Sequence, residues 1–245
     1  MTAGRLEVSP VGVELLDDPV ADPETVIRSL RNVARANRWF GGAAAVRHGL
    51  ARVLRGVPAG RPLTLLDLGT GAGDLPRWAA RWARRRGYAL HPIGLELSRT
   101  AAEMARRSGV PCAVACAGAP PIRDKSVDLV LVSQLAHHFT DDSTVRLLRT
   151  CDALARVGVV VADLRRSPMA PIAFWDGARA LRFDATTVAD GITSLRRGFT
   201  VAELRVLLRA AGVRARVSCR PGYRLVATWR TGSAPGGRRR PEAER

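Results

Sequence analysis

A glycine-rich stretch in the first half of the chain has the residue types and spacing of a ligand-binding turn. Gly69, Gly71 and Gly73 alternate with other residues and lie between two acids, Asp67 and Asp74. Glycines let a backbone turn sharply and approach a ligand closely, because no Cβ stands in the way. A helix starting directly after them offers free N–H groups to a ligand carboxylate. The stretch predicts a small-molecule site, with a glycine-rich turn of some other α/β protein as the alternative.

A further acid lies at the spacing expected for a ribose contact. Glu96 ends an apolar segment roughly twenty residues after the glycines, where an acidic side chain holds ribose hydroxyls in nucleotide-binding sheets. The glycine spacing is G-x-G-x-G rather than the G-x-G-x-x-G of dinucleotide-binding proteins. This difference disfavours a nicotinamide-dependent dehydrogenase.

The elements that must position these residues alternate between strands and helices. Asp74 is expected to cap the helix after the first strand, and Ser98 the helix after the second. This alternation predicts an α/β fold, a parallel sheet with helices on both faces. Ligands then bind beyond the C-terminal strand ends, where the acids and glycines fall. The five predicted strands are 63–68, 88–97, 110–117, 128–133 and 157–164.

The chain divides into a core region with weaker patterns at its ends. Asp184 and Asp190-Gly191 predict a polar turn inside an insertion that interrupts the alternation. The expected divisions are a loosely packed N-terminus (1–22), a single domain (23–230) containing an N-terminal helical lid (23–57) and an insertion near the substrate site (166–199), and a disordered basic tail (231–245).

The glycine stretch and Glu96 resemble the first motif and the ribose-binding acid of the class I S-adenosylmethionine-dependent methyltransferases. Ser126–Phe139 resembles the segment after strand four in small-molecule methyltransferases of the ubiquinone and menaquinone type. Asp163–Ser167 and Arg197–Thr200 are similar to bacterial methyltransferases found with polyketide and quinone pathways. The resemblance implies a Rossmann-like, mostly parallel seven-stranded sheet with an antiparallel last strand, and S-adenosylmethionine as the cofactor.

The resemblance also implies which residues hold the cofactor. The family usually has an aspartate after strand three, whereas Cys116 or Ala117 stands there in this chain. A thiol is a poor hydrogen-bond acceptor, so backbone groups are expected to hold the adenine. The implied cofactor-binding residues are Asp67, Gly69, Thr70, Gly71, Gly73, Asp74, Glu96, Leu97, Cys116, Ala117, Ser133 and Gln134.

Two histidines follow the fourth predicted strand and are candidate general bases. His137 and His138 are candidates because imidazole titrates near neutral pH, although a structural role for either one is the alternative. Trp39 and Phe40 are predicted to cover the cofactor or an aromatic substrate, or else to pack the first helices onto the sheet. Arg165 and Arg166 are predicted to bind an anionic or phenolate substrate, with a solvated arginine pair as the alternative.

These residues predict a methyltransferase acting on a phenolic, quinone-like or polyketide-derived small molecule, with transfer to oxygen favoured over carbon. One rival is an RNA methyltransferase, suggested by the formal net charge of +17. Coding bias also explains that charge, because Lys125 is the only lysine and the arginines are spread along the chain. We favour the second explanation and expect no nucleic-acid partner. The other rival is a non-catalytic protein that binds the same cofactor.

Composition sets the remaining expectations. No apolar segment reaches the ~18 residues of a membrane span, and the first residues lack an apolar signal core, so a cytoplasmic monomer or homodimer is expected. The four cysteines, Cys112, Cys116, Cys151 and Cys219, have no metal-site spacing, and no metal is predicted.

Overall fold

The computed structural model describes residues 6–18 and 20–231 of the 245-residue chain. The predicted tail lies outside the described residues beyond Thr231. The strands are β1 (Pro62–Leu68), β2 (Ala89–Glu96), β3 (Cys112–Val114), β4 (Val127–Ser133), β5 (Ala155–Leu164), β6 (Arg216–Arg220) and β7 (Arg224–Arg230). The α-helices are α1 (Pro23–Trp39), α2 (Gly42–Val53), α3 (Asp74–Arg84), α4 (Arg99–Arg107), α5 (Asp141–Leu154), α6 (Ala170–Ala180), α7 (Ala185–Arg197) and α8 (Val201–Ala210).

The strands form one sheet in the order β3-β2-β1-β4-β5-β7-β6. Strands β1 to β5 pair in parallel, whereas β7 runs antiparallel to both β5 and β6. Every residue of the central strand β4 is buried, as expected for an inner strand with helices on both faces. The predicted mostly parallel seven-stranded sheet with an antiparallel last strand is therefore confirmed.

Apolar helix faces cover both sides of the sheet. Leu50 of α2 and Trp82 of α3 are buried on one side, and Leu147 of α5 and Leu204 of α8 are buried on the other. Burying a leucine-sized side chain contributes roughly 1.5–3 kcal/mol, so these two layers hold the strands in register. The parallel strands then end together at one open edge, where the sequence places the glycine turn, Glu96 and the histidines.

Two predicted boundaries differ from the structure for local reasons. Strand β3 is shorter than its predicted range because it is an edge strand that pairs only with β2, and the chain leaves the sheet after Val114. Gly73, not Asp74, occupies the N-cap position of α3, with a left-handed φ of 74°. Asp74 is the first helical residue, and its carboxylate accepts hydrogen bonds from the N–H groups of the first turn and from Asn37.

The insertion folds as two helices, α6 and α7. Asp184 caps α7 by accepting a hydrogen bond from the Thr187 N–H, as a turn residue would. The predicted polar turn at Asp190 and Gly191 is wrong, because both residues lie inside α7. Gly191 permits the close packing of the two helices, since a Cβ there would lie 2.3 Å from the Phe174 ring.

The N-terminal segment, residues 6–18, packs across the open edge of the sheet. Leu6 and Glu14 are both buried, and the Ser9 N–H donates to the carbonyl of His138 at 2.7 Å. The guanidinium of Arg197 donates to the Val11 carbonyl at 2.7 Å. This segment is therefore held at several points by residues far away along the chain. In the described part of the chain, every helix is too short or too polar to cross a bilayer.

Gly49 tests the close packing of α2 on the sheet. A Cβ at this position would lie 2.3 Å from Cγ1 of Val160 in β5. We expect Gly49→Ala to lower the free energy of unfolding by about 1–3 kcal/mol, although alanine favours a helix by about 1 kcal/mol. Urea unfolding measures the change. In a Val160→Ala background the clash is relieved and the loss shrinks; a Gly49→Ala protein more stable than the wild type contradicts the packing.

Candidate active site

The glycine turn connects β1 to α3 with three residues in the left-handed region. The φ angles of Gly69, Gly71 and Gly73 are 70°, 54° and 74°, a conformation that a residue with a Cβ adopts only under strain. A Cβ on Gly69 would also lie 2.8 Å from the side chain of Leu135. As predicted, the turn brings backbone N–H groups close to the open edge of the sheet.

A cavity of about 1380 Å³, including its mouth, lies along this edge; we call it the cofactor cleft. Of the predicted cofactor residues only Gly73 is absent from its lining, because Gly73 packs against α4 instead. The predicted residues that line the cleft are Asp67, Gly69, Thr70, Gly71, Asp74, Glu96, Leu97, Cys116, Ala117, Ser133 and Gln134.

Asp67, Asp74 and Glu96 are the predicted cofactor residues with carboxylates in the cofactor cleft. Asp67 is buried; its Oδ2 accepts a hydrogen bond from Thr70 Oγ1 at 2.9 Å, and its Oδ1 has no partner among the described residues. Burial raises the pKa of Asp67 to about 8, and the charges of Asp74 and Glu96 add to this rise. Burial also raises the pKa of Asp74. Such a group of acids fits a cationic ligand, because an ammonium would satisfy the unpaired oxygen and favour the ionised carboxyl.

Glu96 is held at the edge of the cofactor cleft by backbone groups. Its Oε2 accepts from the Gly71 N–H at 2.9 Å, and its Oε1 accepts from the Leu97 N–H at 2.8 Å. These bonds tie the end of β2 to the glycine turn. The carboxylate therefore has a fixed position in the cleft, where the resemblance expects a ribose contact.

A second cavity of about 910 Å³, including its mouth, adjoins the cleft; we call it the inner chamber. Leu16, Val33 and Gln134 line both cavities and form their common boundary. The chamber walls come from α1, α6, α7 and the N-terminal segment, and most of the lining surface is apolar. Phe40 and Phe174 meet edge to face there, with ring centroids 5.6 Å apart. The insertion therefore lies where a substrate contact is predicted.

A hydrogen-bonded network connects the two cavities. The Asn37 amide donates to Asp74 Oδ2 at 3.0 Å, and the Gln134 amide donates to Asn37 Oδ1. Arg224 Nη1 in turn donates to Gln134 Oε1 at 2.6 Å, and its Nε donates to the Phe40 carbonyl at 3.0 Å. Burial lowers the pKa of Arg224 to about 10. Sequence reasoning missed Asn37 and Arg224, because nothing local to either residue marks it as part of a site.

Each predicted catalytic histidine is paired with a carboxylate. His137 is buried, and its Nδ1 lies 2.6 Å from Asp163 Oδ1; its Nε2 has no hydrogen-bond partner among the described residues. Burial works against ionisation of Asp163, but the His137 charge and hydrogen bond hold its pKa below the ordinary value. His138 lines the cofactor cleft, with Nδ1 2.7 Å from Asp17 Oδ1.

Two acids of the N-terminal segment complete this polar group, and no sequence pattern indicates either of them. Asp17 holds His138, and hydrogen bonds from His138 and Arg197 outweigh burial and keep the pKa of Asp17 well below its ordinary value. Glu14 Oε2 lies 3.8 Å from His138 Nε2, and burial raises the pKa of Glu14. Both acids sit in a segment without a recognisable motif, so only the fold reveals them.

Of the predicted substrate residues, only Phe40 reaches a cavity. Trp39 is 64% exposed, with the Arg38 guanidinium over its ring, because it lies on the outer side of the end of α1. Arg165 stacks on Tyr223, and Arg166 pairs with Glu203. Trp39, Arg165 and Arg166 line neither cavity. Trp39 is also too exposed to pack the first helices onto the sheet, and each arginine has a partner instead of forming a solvated pair.

Comparison with known proteins supports the predicted class. Residues 65–158 match the family model of a methyltransferase domain. A search of curated proteins finds no match. A SAM-dependent methyltransferase from Aquifex aeolicus is 16% identical, with a TM-score of 0.53, covering 84% of this chain and 97% of that one. Magnesium protoporphyrin IX methyltransferase from Synechocystis PCC 6803, solved with bound SAH, is 13% identical, with a TM-score of 0.54 and coverage of 85% and 100%.

The mitomycin 7-O-methyltransferase is 20% identical, with a TM-score of 0.59, covering 90% of this chain and 61% of that one. At these identities the solved structures show a shared fold, the Rossmann-like class I methyltransferase fold. The family match adds that residues 65–158 are similar in sequence to a methyltransferase domain. The carboxylates and the glycine turn of the cofactor cleft fit the ammonium, ribose and carboxylate groups of S-adenosylmethionine.

The raised pKa of Asp67 predicts that a proton is released when the cofactor product S-adenosylhomocysteine binds. The carboxyl is largely protonated below about pH 8 in the ligand-free protein, and the ligand ammonium favours the carboxylate. We therefore expect affinity to rise with pH, by up to about tenfold per unit between about pH 5.5 and 7.5. Isothermal titration calorimetry in buffers of different ionisation enthalpy measures both the affinity and the released proton.

Asp67→Asn is expected to bind more weakly and to lose most of this slope, with Asp74 accounting for the remainder. Asp124→Asn, at an exposed acid away from the cavities, is the matched control. An Asp67→Asn protein with the affinity and the pH slope of the wild type contradicts the role of this carboxyl.

Proposed function

We propose that the chain transfers a methyl group from S-adenosylmethionine to a small molecule bound in the inner chamber. The observation that supports this most directly is the shared boundary of the two cavities at Leu16, Val33 and Gln134. A cofactor in the cleft and an acceptor in the chamber meet across that boundary. Holding two reactants in line is the main contribution a protein makes to such a transfer, about 7 kcal/mol or more in favourable cases.

The residues of the cofactor cleft have separate roles in this proposal. Asp67 faces the ammonium group of the cofactor, Glu96 the ribose hydroxyls, and the glycine turn the carboxylate. Cys116 and Ala117 lie beside the adenine, with backbone groups in place of the aspartate usual in the family. When bound, S-adenosylmethionine supplies an electrophilic methyl group on a sulfonium. The protein contributes position and electrostatics.

The shape and lining of the inner chamber favour a flat, largely apolar acceptor. Phe40, Phe174 and Phe183 present their rings to the chamber, and aromatic side chains bind other rings edge to face or offset. We therefore propose a phenolic, quinone-like or polyketide-derived acceptor, as the resemblance implies. The chamber is enclosed by three helices and the N-terminal segment, which favours a small molecule over RNA.

We propose that His138 takes the proton of the acceptor hydroxyl. The residue lines the cofactor cleft, and Asp17 holds Nδ1, which leaves Nε2 as the nitrogen able to accept a proton. His137, packed against His138 with ring centroids 4.4 Å apart, positions it. A proton acceptor at the boundary of the cavities suits a hydroxyl group, so we favour transfer to oxygen over transfer to carbon.

A substitution at Ala36 tests whether the acceptor binds in the inner chamber, because this residue lines the inner chamber but not the cofactor cleft. We expect Ala36→Leu to lower methyl transfer at least tenfold by filling the chamber, while affinity for S-adenosylhomocysteine changes less than twofold. Labelled methyl transfer to a panel of phenols and quinones, with total RNA as a separate substrate, measures activity. Ala34→Leu, on the same helix and outside both linings, is the matched control.

Three outcomes of this experiment contradict the proposal. Methyl transfer to RNA alone, with none to the panel or to a host metabolite extract, supports the RNA rival. Cofactor binding without transfer to any of these substrates supports a non-catalytic protein. Equal activity of Ala36→Leu and the wild type shows that the acceptor does not bind in the inner chamber.

His138 tests the proton transfer. We expect His138→Gln to lower kcat by about 10²–10⁴-fold, the usual contribution of a positioned base, with an unchanged affinity for S-adenosylhomocysteine. His48→Gln, at a half-buried histidine that contacts Ser218 away from both cavities, is the control. Single-turnover methyl transfer measures the step itself; a His138→Gln rate within threefold of the wild type contradicts the assignment.

A further inference from the structure

Three side chains at the boundary of the cavities have the chemistry of metal ligands; we call Glu14, His137 and His138 the junction cluster. Each offers one ligand atom, and these atoms lie within 4.8 Å of one another. The N-terminal segment supplies the carboxylate, and a short 3-10 turn, Ala136–His138, supplies both imidazoles after β4. Imidazole and carboxylate are ligands that zinc and other divalent transition metals prefer.

The two imidazoles are already oriented as metal ligands usually are. Asp163 lies 2.6 Å from Nδ1 of His137, and Asp17 lies 2.7 Å from Nδ1 of His138. A carboxylate on one ring nitrogen fixes the tautomer and the ring direction and leaves the other nitrogen for an ion. Nε2 is thus the ring nitrogen that the carboxylate partner leaves open in each histidine, and Nε2 of His138 lies 3.8 Å from Glu14 Oε2.

An unsatisfied nitrogen gives a second, independent indication of a ligand. His137 is 2% exposed, and its Nε2 has no hydrogen-bond partner among residues 6–18 and 20–231. Buried polar atoms are almost always paired, because leaving one unpaired costs roughly 1–3 kcal/mol. A bound ion at the junction cluster satisfies this nitrogen, whereas the protein groups nearby do not.

The charge around the junction cluster favours a cation despite one adjacent arginine. Arg197 Nη1 donates to Glu14 Oε1 at 3.1 Å and Ser194 Oγ donates to Glu14 Oε2 at 2.7 Å, so each carboxylate oxygen keeps one further lone pair for an ion. With neutral imidazoles the carboxylates outnumber the guanidiniums, so a divalent ion neutralises the group. The charged groups are Glu14, Asp17, Asp163 and Asp190 on one side and Arg197 and Arg224 on the other.

We propose that the junction cluster binds one divalent transition-metal ion, with zinc as the representative, through Nε2 of His137, Nε2 of His138 and an oxygen of Glu14. His138 lines the cofactor cleft and Glu14 lines the inner chamber, so the ion lies where the cavities meet. A hydroxyl or phenolate oxygen is the class of ligand that completes its coordination. In the ion-bound form His138 is a ligand rather than the base: the ion would lower the pKa of that hydroxyl, and its proton would pass to solvent.

Metal titration tests the inference without cofactor or acceptor, so its result is separate from that of the proposed methyl transfer. The full chain, free of any affinity tag and treated with a chelator, is titrated with Zn²⁺ by calorimetry and with Co²⁺ by absorption. We expect one ion per chain, and an affinity at least about tenfold lower in His138→Gln and in Glu14→Gln. His91→Gln, at an exposed histidine on β2, is the matched control and is expected to bind as the wild type does.

Circular dichroism and thermal unfolding establish that each variant is folded. His137→Gln changes a buried residue, so the test rests on the two variants above if that protein does not fold. Three results overturn the proposal. They are no one-to-one binding by the wild type, metal affinities of both His138→Gln and Glu14→Gln equal to that of the wild type, or a thiolate-to-cobalt charge-transfer band. That band would place the ion on cysteines instead.

Discussion

The buried guanidinium of Arg197 holds the N-terminal segment across both cavities, and the rest of the site depends on that contact. Its side chain is fully buried and donates to the carbonyls of Val11 and Gly12 and to the carboxylates of Glu14 and Asp17. Charge-assisted hydrogen bonds of this kind are roughly twice as strong as neutral ones. One residue at the end of the insertion thus fixes the segment that closes the cofactor cleft and the inner chamber.

Hydrogen bonds between polar side chains connect the cofactor cleft to the inner chamber. Asp74, Asn37, Gln134 and Arg224 form a continuous hydrogen-bonded path from the cofactor cleft to the chamber wall. Gln134 adopts a left-handed φ of 52°, an unusual conformation for a residue with a side chain. The Gln134 N–H donates to the Ala162 carbonyl at 2.9 Å, and the side chain contacts both Asn37 and Arg224. A shift of one side chain in this path is therefore expected to move its hydrogen-bond partners on the other side of the boundary.

Sequence patterns predict the local parts of this molecule and not the parts made by distant contacts. The glycine turn and Glu96 are predictable because a strand, its turn and the next helix are contiguous, and the parallel sheet brings successive strand ends together. Glu14, Asp17 and Arg224 reach the site from the two ends of the chain, and no local pattern marks them. Trp39 and Arg166 mislead for the opposite reason, since they lie close in sequence to residues that line the inner chamber but line neither cavity themselves.

The acidic lining of the cofactor cleft belongs to a chain with a formal net charge of +17. Among the residues that the structure describes, the lining of the cleft contains Asp67, Asp74 and Glu96 but no arginine or lysine. A cationic small molecule is thus repelled by the protein as a whole at long range and attracted once it is inside, within a Debye length of about 8 Å at physiological salt. Added salt weakens the long-range repulsion more than the desolvated contacts inside the cleft. Ionic strength therefore acts on the association rate of the ligand rather than on its dissociation rate.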